Sequence, residues 1–261
     1  MGLGLALSGV SNSGHDVGGF DGPRPDAELF VRWVGFGIFL PRFSIHSWNA
    51  DRTANEPWMH PEVTPAVRDL IKFRYRLLPH LYDLMVRHAQ HYEPIARPTF
   101  YDFPDDPRCF EENDDMLLGE ALLVAALVEQ GAVTRDVYLP KGTHWFDWWT
   151  GEALEGGQVV TRPAPYDRPP LFAREGSVIA LNVAEQHFAK RADKRAFAVF
   201  PVAQGTFTAE IADGDGESVA VADRIWRIRV RCDTNVIEVV GADDSEIILP
   251  AGETRRLIVP R

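Results

Sequence analysis

The order of apolar and polar residues divides the chain into an α/β part and a β-rich part. In residues 1–92, short apolar runs alternate with segments of helical periodicity, as in folds where strands and helices take turns. The apolar run at residues 3–7 predicts a strand, a helix is predicted at about 26–36, and a second strand at 39–45.

The strongest helical signal extends from Thr64 to Tyr92. Thr64 followed by Pro65 is a favourable start for a helix, because the hydroxyl can cap a free backbone N–H and proline has no N–H to leave unbonded. Apolar side chains then recur at helical spacing to the end of the segment. Pro79 is expected to kink or interrupt this helix.

After Pro94, short β-branched or aromatic runs are separated by Gly and Pro, which is typical of a β-sandwich. A polar, charged stretch at residues 185–195 precedes a last β-rich block, which we interpret as a second β domain. The predicted strands are 98–103, 122–128, 137–139, 144–149, 159–161, 171–172 and 178–181 in the first block, and 197–200, 206–211, 224–231, 236–240 and 246–249 in the second.

Charge and composition argue against several classes of function. The 261 residues include 27 Lys and Arg against 38 Asp and Glu, and the net charge of −11 opposes binding to nucleic acid or anionic membranes. No apolar run reaches the ~18 residues that span a bilayer, and residues 1–10 lack the pattern of a signal peptide. Neither nucleic acid nor a membrane is expected as a partner, and a cytoplasmic location is favoured.

The two cysteines, Cys109 and Cys232, are too few for a disulfide framework and form no CxxC metal motif. We expect both thiols to be reduced. The acidic segment 213–217 lacks the glycine and the final glutamate of a calcium-binding EF-hand loop, and we interpret it as a hairpin turn. No metal ion and no cofactor are expected.

The most informative stretch is residues 14–20, with the sequence Gly-His-Asp-Val-Gly-Gly-Phe. Asp16 stands between glycines after a predicted strand, where the backbone can turn sharply and a ligand can approach closely. The alternative is an aspartate that serves only a turn or a helix start, because Asp and Gly are common turn formers. Residue types alone leave both interpretations open.

The second candidate stretch is residues 41–49, where strand alternation places Arg42, Ser44 and His46 on one face. If this is a barrel strand, His46 lies at the end where the loops of a (β/α)8 barrel form active sites. The alternative is a hydrogen-bonded histidine that only caps the strand, and spacing alone favours this simpler interpretation.

The aromatic run at residues 145–149 could stack on the apolar faces of sugar rings. Strand alternation sends Trp145 and Trp149 to one side and Phe146 and Trp148 to the other. Packing in the core is therefore the favoured interpretation of these aromatic side chains.

The α/β part resembles glycoside hydrolase family 31, the α-glucosidase and α-xylosidase family, at residues 14–20, 28–29, 32–33, 41 and 46. The β part resembles the proximal β-sandwich of the same family, with matching pieces as far as about Leu181. They are residues 114–119, 122–124, 137–140, 145, 156–158, 170–172 and 174–177. The last block is similar to the distal domain of the family only in kind, at the turn 213–218.

The resemblance implies the C-terminal part of a (β/α)8 TIM barrel followed by two β-sandwich domains, hence an α/β part and all-β parts. The barrel units would occupy residues 1–93, the proximal β-sandwich 94–183 and the distal β domain 184–261. Asp16 would end the seventh barrel strand and His46 the eighth. Both side chains would then bind the sugar whose bond is cleaved.

The implied activity is that of a retaining, exo-acting, α-glucosidase-like enzyme that hydrolyses O-glycosidic bonds of oligosaccharides or other α-glycosides. Its two catalytic aspartates must stand about 5–5.5 Å apart. In the family both lie before the Gly-His-Asp-Val-Gly-Gly stretch, and no position in this chain matches either, so no catalytic residue is assigned. We expect a C-terminal portion that is inactive alone and needs the N-terminal barrel portion as its partner.

One departure from the family pattern bears on specificity. Two residues before His46, many members carry an arginine where this chain has Ser44, which leaves the identity of the sugar open. A second hypothesis, from another class, is a non-catalytic carbohydrate-binding or structural β-module that stacks sugar on the tryptophans of residues 145–149. Sugar binding would then depend on those tryptophans and not on Asp16 or His46.

Overall fold

The computed structural model describes residues 2–111, 114–184, 194–214 and 224–260 and begins with an α/β part. Its elements are α1 (Gly2–Leu7), β1 (Asp16–Val17), β2 (Asp21–Gly22), α2 (Ala27–Gly37), β3 (Ser44–Ile45), β4 (Trp48–Asn49) and α3 (Thr64–His91). β1 pairs in parallel with β3, and β2 pairs in parallel with β4. The parallel direction follows from α2, which forms the crossover between the paired strands.

The prediction of a strand at residues 3–7 is wrong, because this run forms helix α1. Leu and Ala are strong helix formers, and among the described residues no strand pairs with this run. Ala6 is buried and Leu3 packs against the main core, while the other leucines stay exposed. The first strand of the α/β part therefore begins later, at Asp16.

Helix α2 confirms the helix predicted at residues 26–36. Asp26 caps its first turn, since the Leu29 N–H donates to Asp26 Oδ1 over 2.8 Å. The strand predicted at 39–45 is shorter than expected, because Phe39 and Leu40 are buried in tight turns that continue from α2. Only the last two residues of this segment pair as a strand.

Arg74, which lies on α3, forms hydrogen bonds with this turn segment. Its guanidinium donates hydrogen bonds to the carbonyl oxygens of Ile38 and Leu40, both at 2.6 Å, and of Pro41 at 2.7 Å. These carbonyls follow the C-terminal end of α2, where the helix dipole favours a positive charge. Burial lowers the pKa of Arg74 to about 10, so the group stays charged at neutral pH. Arg74 therefore fixes the path of the chain that leads into β3.

Helix α3 confirms the predicted long helix but differs from expectation in two details. Val63 is the N-cap residue, and the Thr64 hydroxyl donates to an upstream carbonyl oxygen at 2.9 Å instead of capping the helix. Pro79 does not interrupt the helix, which is continuous over 28 residues. Proline removes one backbone hydrogen bond, but the buried side chains of Leu77 and Leu81 anchor this turn in the main core.

The β-rich part begins with eight strands. They are β5 (Ala96–Arg97), β6 (Asp115–Leu118), β7 (Leu122–Ala125), β8 (Thr134–Leu139), β9 (His144–Asp147), β10 (Ala153–Glu155), β11 (Gln158–Pro163) and β12 (Leu171–Arg174). Six of them form one sheet in the order β10-β9-β12-β7-β6-β5, with antiparallel neighbours, and β8 pairs antiparallel with β11.

The prediction of a strand at residues 98–103 is wrong, because Thr99–Tyr101 form a 3-10 helix. Pro98 has no N–H to donate to a strand ladder. Its carbonyl oxygen instead accepts a hydrogen bond from the Tyr101 N–H at 3.0 Å, which closes a turn. A second 3-10 helix, Pro107–Phe110, follows.

The six-stranded sheet is buried on both faces. All residues of β6 and β7 are buried, which explains the nearly continuous apolar sequence of these strands. On one face, Leu117 and Leu123 belong to the same core as Trp145 and Val137. On the other face, alternate residues such as Leu122 join the core formed with α2 and α3. The sheet thus connects the α/β part to the strands beyond it.

The described residues of the last block form seven strands in two sheets. They are β13 (Ser177–Asn182), β14 (Arg195–Phe200), β15 (Gly205–Asp213), β16 (Arg224–Cys232), β17 (Val236–Val240), β18 (Glu246–Ile248) and β19 (Arg256–Ile258). One sheet has the order β13-β14-β18 and the other β15-β16-β17-β19. Between them lies a second core that contains Phe197 and Val199 from one sheet and Ile211 and Val230 from the other.

The predicted domain boundaries at residues 93 and 183 stay predictions. Strand β13 precedes the second boundary but pairs with β14, which follows it. Most of the predicted polar stretch at 185–195 lies outside the described residues.

Helix α3 is hydrogen-bonded to the last block. The Asn182 side chain donates to the Tyr75 carbonyl oxygen, and the Ala212 N–H donates to Asp83 Oδ1, both at 2.7 Å. Burial raises the pKa of Asp83, and the Arg87 guanidinium, 3.3 Å away, opposes that rise. The long helix therefore contacts the last block as well as the chain that enters β3.

His80 lies on α3 and is almost completely buried, with 5% of its surface exposed. Its ring makes a hydrogen bond with the backbone of Leu118, and Nε2 has no hydrogen-bond partner in the described part of the chain. Burial, together with the nearby charge of Arg87, lowers the pKa of His80 to about 4. The imidazole is therefore neutral in the folded protein at neutral pH.

Replacing Arg74 by methionine should destabilise the fold by about 2–4 kcal/mol, because three carbonyl oxygens lose their donor while the apolar volume is kept. Arg74→Lys should lose less stability because lysine keeps the charge, but it should still lose some because lysine lacks the planar arrangement of donors. Urea unfolding of the parent protein and the variants measures both effects. Arg68→Met removes an exposed guanidinium from the same helix and is the matched control. Equal stability of Arg74→Met and Arg68→Met would contradict the assigned role.

His80 should make the fold less stable as the pH falls from 6.5 towards 4. In this window the histidine of the unfolded chain takes up a proton, whereas the folded protein holds His80 neutral. Relative to His80→Gln, the parent should lose on the order of 2 kcal/mol of unfolding free energy between pH 6.5 and 5. Burial raises the pKa of Asp115 to about 6, so this carboxyl makes the fold more stable as the pH falls through the same window. The measurement is therefore the difference between the two proteins, and parallel stability curves would rule out the role of His80.

Candidate active site

The structure brings Asp16 and His46 to neighbouring strand ends. Asp16 lies directly opposite Ser44 in the parallel register of β1 and β3, and Val17 lies opposite Ile45. His46 follows β3 at the level where β1 has ended. Asp16 opens the two-residue strand β1 and His46 directly follows β3, so both lie within two residues of the edge where parallel strands end and ligands bind in α/β folds.

The carboxylate of Asp16 is paired with Arg42. Arg42 Nη2 lies 2.8 Å from Asp16 Oδ1, and Arg42 Nη1 donates to the carbonyl oxygens of Gly14 at 3.2 Å and His15 at 3.4 Å. The pair is only partly buried, with side-chain exposures of 28% for Asp16 and 44% for Arg42. In the described part of the chain, Asp16 Oδ2 has no hydrogen-bond partner, so it can accept a hydrogen bond from a ligand.

Two glycines allow the chain to pass closely at this edge. A Cβ atom on Gly14 would lie 1.9 Å from the carbonyl oxygen of Arg42, so only glycine fits between the two segments. Gly18 has a φ of +89°, and a Cβ there would lie 2.6 Å from the side-chain nitrogen of Asn55. Gly14 is thus required by a backbone contact, and Gly18 by its positive φ and by the nearby side chain of Asn55.

His46 is exposed and lies against an aromatic side chain. The ring centroids of His46 and Phe20 are 5.4 Å apart with a tilted geometry. Phe20 is 50% exposed, and Trp48 beyond His46 is 73% exposed. The Trp48 N–H donates to the Phe20 carbonyl oxygen at 2.5 Å, which joins the loops that follow β1 and β3. This edge therefore presents a carboxylate, an imidazole and apolar ring surfaces to solvent.

A buried amide network supports these loops, and its member Asn55 was missed by sequence reasoning. Asn49 Nδ2 donates to Asn55 Oδ1 at 3.1 Å, and Asn55 Nδ2 donates to the Gly19 carbonyl oxygen at 3.2 Å. The Asn55 N–H donates to the Ser47 hydroxyl at 2.7 Å. Asn49 and Asn55 are both buried. No local pattern around Asn55 signals this role, because its partners lie in two other chain segments, one at Gly19 and one at Ser47 and Asn49.

The tryptophans of residues 145–149 contribute to the core, as the sequence analysis favoured. Trp145 is fully buried, and its Nε1 donates to the Pro140 carbonyl oxygen at 3.0 Å. Trp148 is only partly buried, and its ring lies 5.5 Å from that of Phe200. Trp149 packs against the same core as Trp148. The predicted sharing of one side by Trp145 and Trp149 is therefore wrong, because β9 ends at Asp147 and a turn follows.

The remaining predicted features have structural roles where they are described. Asp213 is buried and pairs with Arg195 at 2.9 Å, whereas residues 215–217 of the predicted acidic turn lie outside the described residues. Cys109 and Cys232 are buried free thiols. Within the described ranges, no cluster of His, Cys, Asp and Glu has the arrangement of a metal site, and no helix has the length and apolarity that a membrane span requires.

Two cavities lie beside the helices, and His15, the neighbour of Asp16, lines the one next to α2. One of about 640 Å³ lies between α3 and the β sheets, and one of about 430 Å³ lies beside α2. Neither is lined by Asp16 or His46. The candidate site is thus an open edge of the described structure, with its carboxylate held by Arg42.

Comparisons with known proteins agree with this architecture. Residues 1–84 match the family model described as the glycosyl hydrolases family 31 TIM-barrel domain, and residues 92–179 match the glycosyl hydrolase family 31 C-terminal domain. Together the two matches cover about two thirds of the chain. Asp16 and His46 both lie in the segment that matches the TIM barrel.

Similar proteins include α-glucosidase 2 of Bacillus thermoamyloliquefaciens, 35% identical over 219 residues, which are 84% of this chain and 27% of the relative. The α-xylosidase of Saccharolobus solfataricus is 33% identical over 225 residues, which are 82% of this chain and 30% of the relative. The chain thus spans less than a third of the length of these relatives.

Among solved structures, the dextranase of Flavobacterium johnsoniae in complex with glucose superimposes with a TM-score of 0.81 at 31% identity. The match covers 90% of this chain and 30% of the dextranase. The family models, the relatives and the fold all indicate one family. In this chain, a TIM-barrel portion is followed by a C-terminal domain. The chain belongs to glycosyl hydrolase family 31.

Proposed function

We propose that this chain forms the sugar-binding side of a retaining, exo-acting α-glycosidase that acts on oligosaccharides or other α-glycosides. The observation that carries the proposal is the placement of Asp16 and His46 at the ends of adjacent parallel strands, in the segment that matches the family's TIM barrel. Relatives named as α-glucosidase and α-xylosidase, and a dextranase that binds glucose, support this substrate class.

Asp16 and His46 are suited to bind sugar hydroxyl groups. Arg42 holds Asp16 Oδ1, and Oδ2 is left to accept a short, charge-assisted hydrogen bond from a hydroxyl. The exposed ring of His46 can donate to a second hydroxyl through one nitrogen and accept through the other. The ring of Phe20, in contact with His46, offers an apolar surface to the C–H face of a sugar.

Bond cleavage in a retaining glycosidase needs two carboxylates about 5–5.5 Å apart, one as nucleophile and one as acid and then base. No position in this chain matches the aspartate pair of the family. We propose that the pair comes from barrel strands that are not among these 261 residues. Asp16 and His46 would then orient the sugar relative to that pair without entering the bond changes themselves.

We further propose that the β-rich part comprises two β-sandwich domains, with boundaries near residues 93 and 183. The six-stranded sheet and the β8–β11 pair enclose one core, and the two sheets of the last block enclose another. Both would support the barrel, because the six-stranded sheet packs against α2 and α3 on its other face.

The alternative of a non-catalytic β-module that stacks sugar on the tryptophans receives less support. Trp145 is fully buried, and the indole N–H of Trp149 donates to the Pro169 carbonyl oxygen at 2.8 Å. The ring of Trp148 packs against the rings of Phe73 and Phe200. Trp145 has no exposed face on which a sugar could stack, and much of the ring surface of Trp148 and Trp149 is occupied by packing against the core.

Hydrolysis of p-nitrophenyl α-glucoside and α-xyloside should occur in a form of the protein that carries the full barrel, and not in the 261-residue chain alone. In the active form, Asp16→Ala should lower kcat/KM at least about 100-fold, and His46→Ala about 10- to 100-fold, because each removes a contact that orients the sugar. Arg68→Ser, on the exposed side of α3, should leave the rate unchanged.

Two results would overturn this assignment. Full activity of both Asp16→Ala and His46→Ala would exclude these residues from the sugar site. Activity of the 261-residue chain alone would show that it holds a carboxylate pair of its own. Sugar binding that persists in both variants but is lost on replacing Trp148 would favour the β-module instead.

A further inference from the structure

We infer that Arg42 is a positioning residue for Asp16, and that an arginine at position 44 can take over this role. The inference rests on the proposed function, because it assigns Arg42 an effect on sugar binding through Asp16. It adds a residue that touches no substrate itself, together with a specific geometric requirement for a guanidinium within reach of the Asp16 carboxylate.

The first support is the way in which Arg42 holds the β1 segment. Its guanidinium contacts Asp16 Oδ1 at 2.8 Å and also the carbonyl oxygens of Gly14 and His15. The backbone N–H of Arg42 donates to the Ser13 carbonyl oxygen at 3.2 Å. Arg42 therefore binds both the carboxylate and the backbone that carries it, which fixes the direction in which Oδ2 points.

The second support is that the carboxylate has little else to orient it. The terminal torsion of an aspartate side chain has a broad energy minimum, so an unpaired carboxylate rotates readily. In the described part of the chain, Arg42 is the hydrogen-bond partner of the Asp16 carboxylate. Without it, Asp16 would present its oxygens to a sugar in many orientations, and binding would lose the order that a productive complex needs.

The third support is that the pair is too exposed to act mainly as a stabilising ion pair. The side chains of Asp16 and Arg42 are 28% and 44% exposed, and ion pairs of this kind contribute little to folding stability. Loss of Arg42 should therefore affect sugar binding more than unfolding. This separates a positioning role from a structural one.

The parallel register explains why position 44 should be equivalent. Ser44 lies directly opposite Asp16, whereas Arg42 lies two residues earlier, before β3 begins, and reaches forward to the carboxylate. An arginine at position 44 would start next to Asp16, and its guanidinium could form the same pair with the carboxylate.

The experiment moves the guanidinium along the strand in the active, full-barrel form of the protein. We expect Arg42→Ser to lower kcat/KM for p-nitrophenyl α-glucoside about 10- to 100-fold, mainly through KM. The double variant Arg42→Ser/Ser44→Arg should recover at least about ten-fold of this loss. Arg42→Lys should be intermediate, because lysine keeps the charge but not the fork of donors. Arg68→Ser is the control for loss of a distant guanidinium.

A double-mutant cycle tests whether Arg42 acts through Asp16. In an Asp16→Ala background, Arg42→Ser should cause no further loss of kcat/KM. Additive losses, or a relocated arginine that restores nothing while the thermal unfolding midpoint matches the parent, would overturn the inference. If Arg42→Ser unfolds, Arg42→Lys in both backgrounds gives the same comparison.

The inference and the proposed function fail in distinguishable ways. Full activity of Asp16→Ala would refute the proposed sugar site, whatever Arg42 does. A large effect of Asp16→Ala together with normal activity of Arg42→Ser would leave the site standing and refute the positioning role alone.

Discussion

The hydrogen bonds from Arg74 to the carbonyl oxygens of Ile38, Leu40 and Pro41 are the constraint on which the candidate site depends. A charged guanidinium without its own carboxylate partner is costly to bury unless backbone oxygens replace the lost water. The carbonyls at the end of α2 supply those oxygens and add the favourable field of a helix terminus. The segment they belong to enters β3, whose register sets Ser44 opposite Asp16 and leaves His46 beyond the strand end.

The packing of α2 and α3 against the six-stranded sheet explains how such short barrel strands are held in place. The paired strands of the α/β part contribute only two residues each, so their ladders alone could not define the site. The surrounding cores do this instead, because α2 and α3 pack against a sheet that is itself covered on its other face. Stability in this molecule therefore comes chiefly from apolar area removed from water, and polar side chains such as Arg42, Arg74 and Asn55 add geometric definition.

Periodicity in the sequence predicted the elements whose burial is one-sided and regular. Helices α2 and α3 and most strands of the β-rich part follow from it. The run at residues 3–7 misled, because leucine at every second position has the period of a strand, although Leu and Ala favour a helix and no described strand pairs with this run. Residues 98–103 misled because Pro98 closes a turn, which apolar content alone does not reveal.

The candidate site was predictable only in part, for a physical reason. Its residues could be placed by motif and by strand alternation, since these are local properties of the chain. The partner of Asp16 and the amide network of Asn55 depend on contacts between distant segments. The turn after Asp147, which redirects Trp149, depends on a side chain that accepts hydrogen bonds from its own loop.

The continuity of α3 through Pro79 has a mechanical consequence. A helix of 28 residues is a rod about 42 Å long, and Arg74, which holds the entry to β3, is adjacent on it to Tyr75, whose carbonyl oxygen is bound by Asn182 of the last block. Because α3 is continuous, a displacement of one part of the helix also displaces its other parts. Arg74 lies before Pro79 on this helix, and Asp83, which accepts the hydrogen bond from Ala212 of the last block, lies after it. A movement of α3 with the last block would therefore also move the segment that enters β3 and leads to His46.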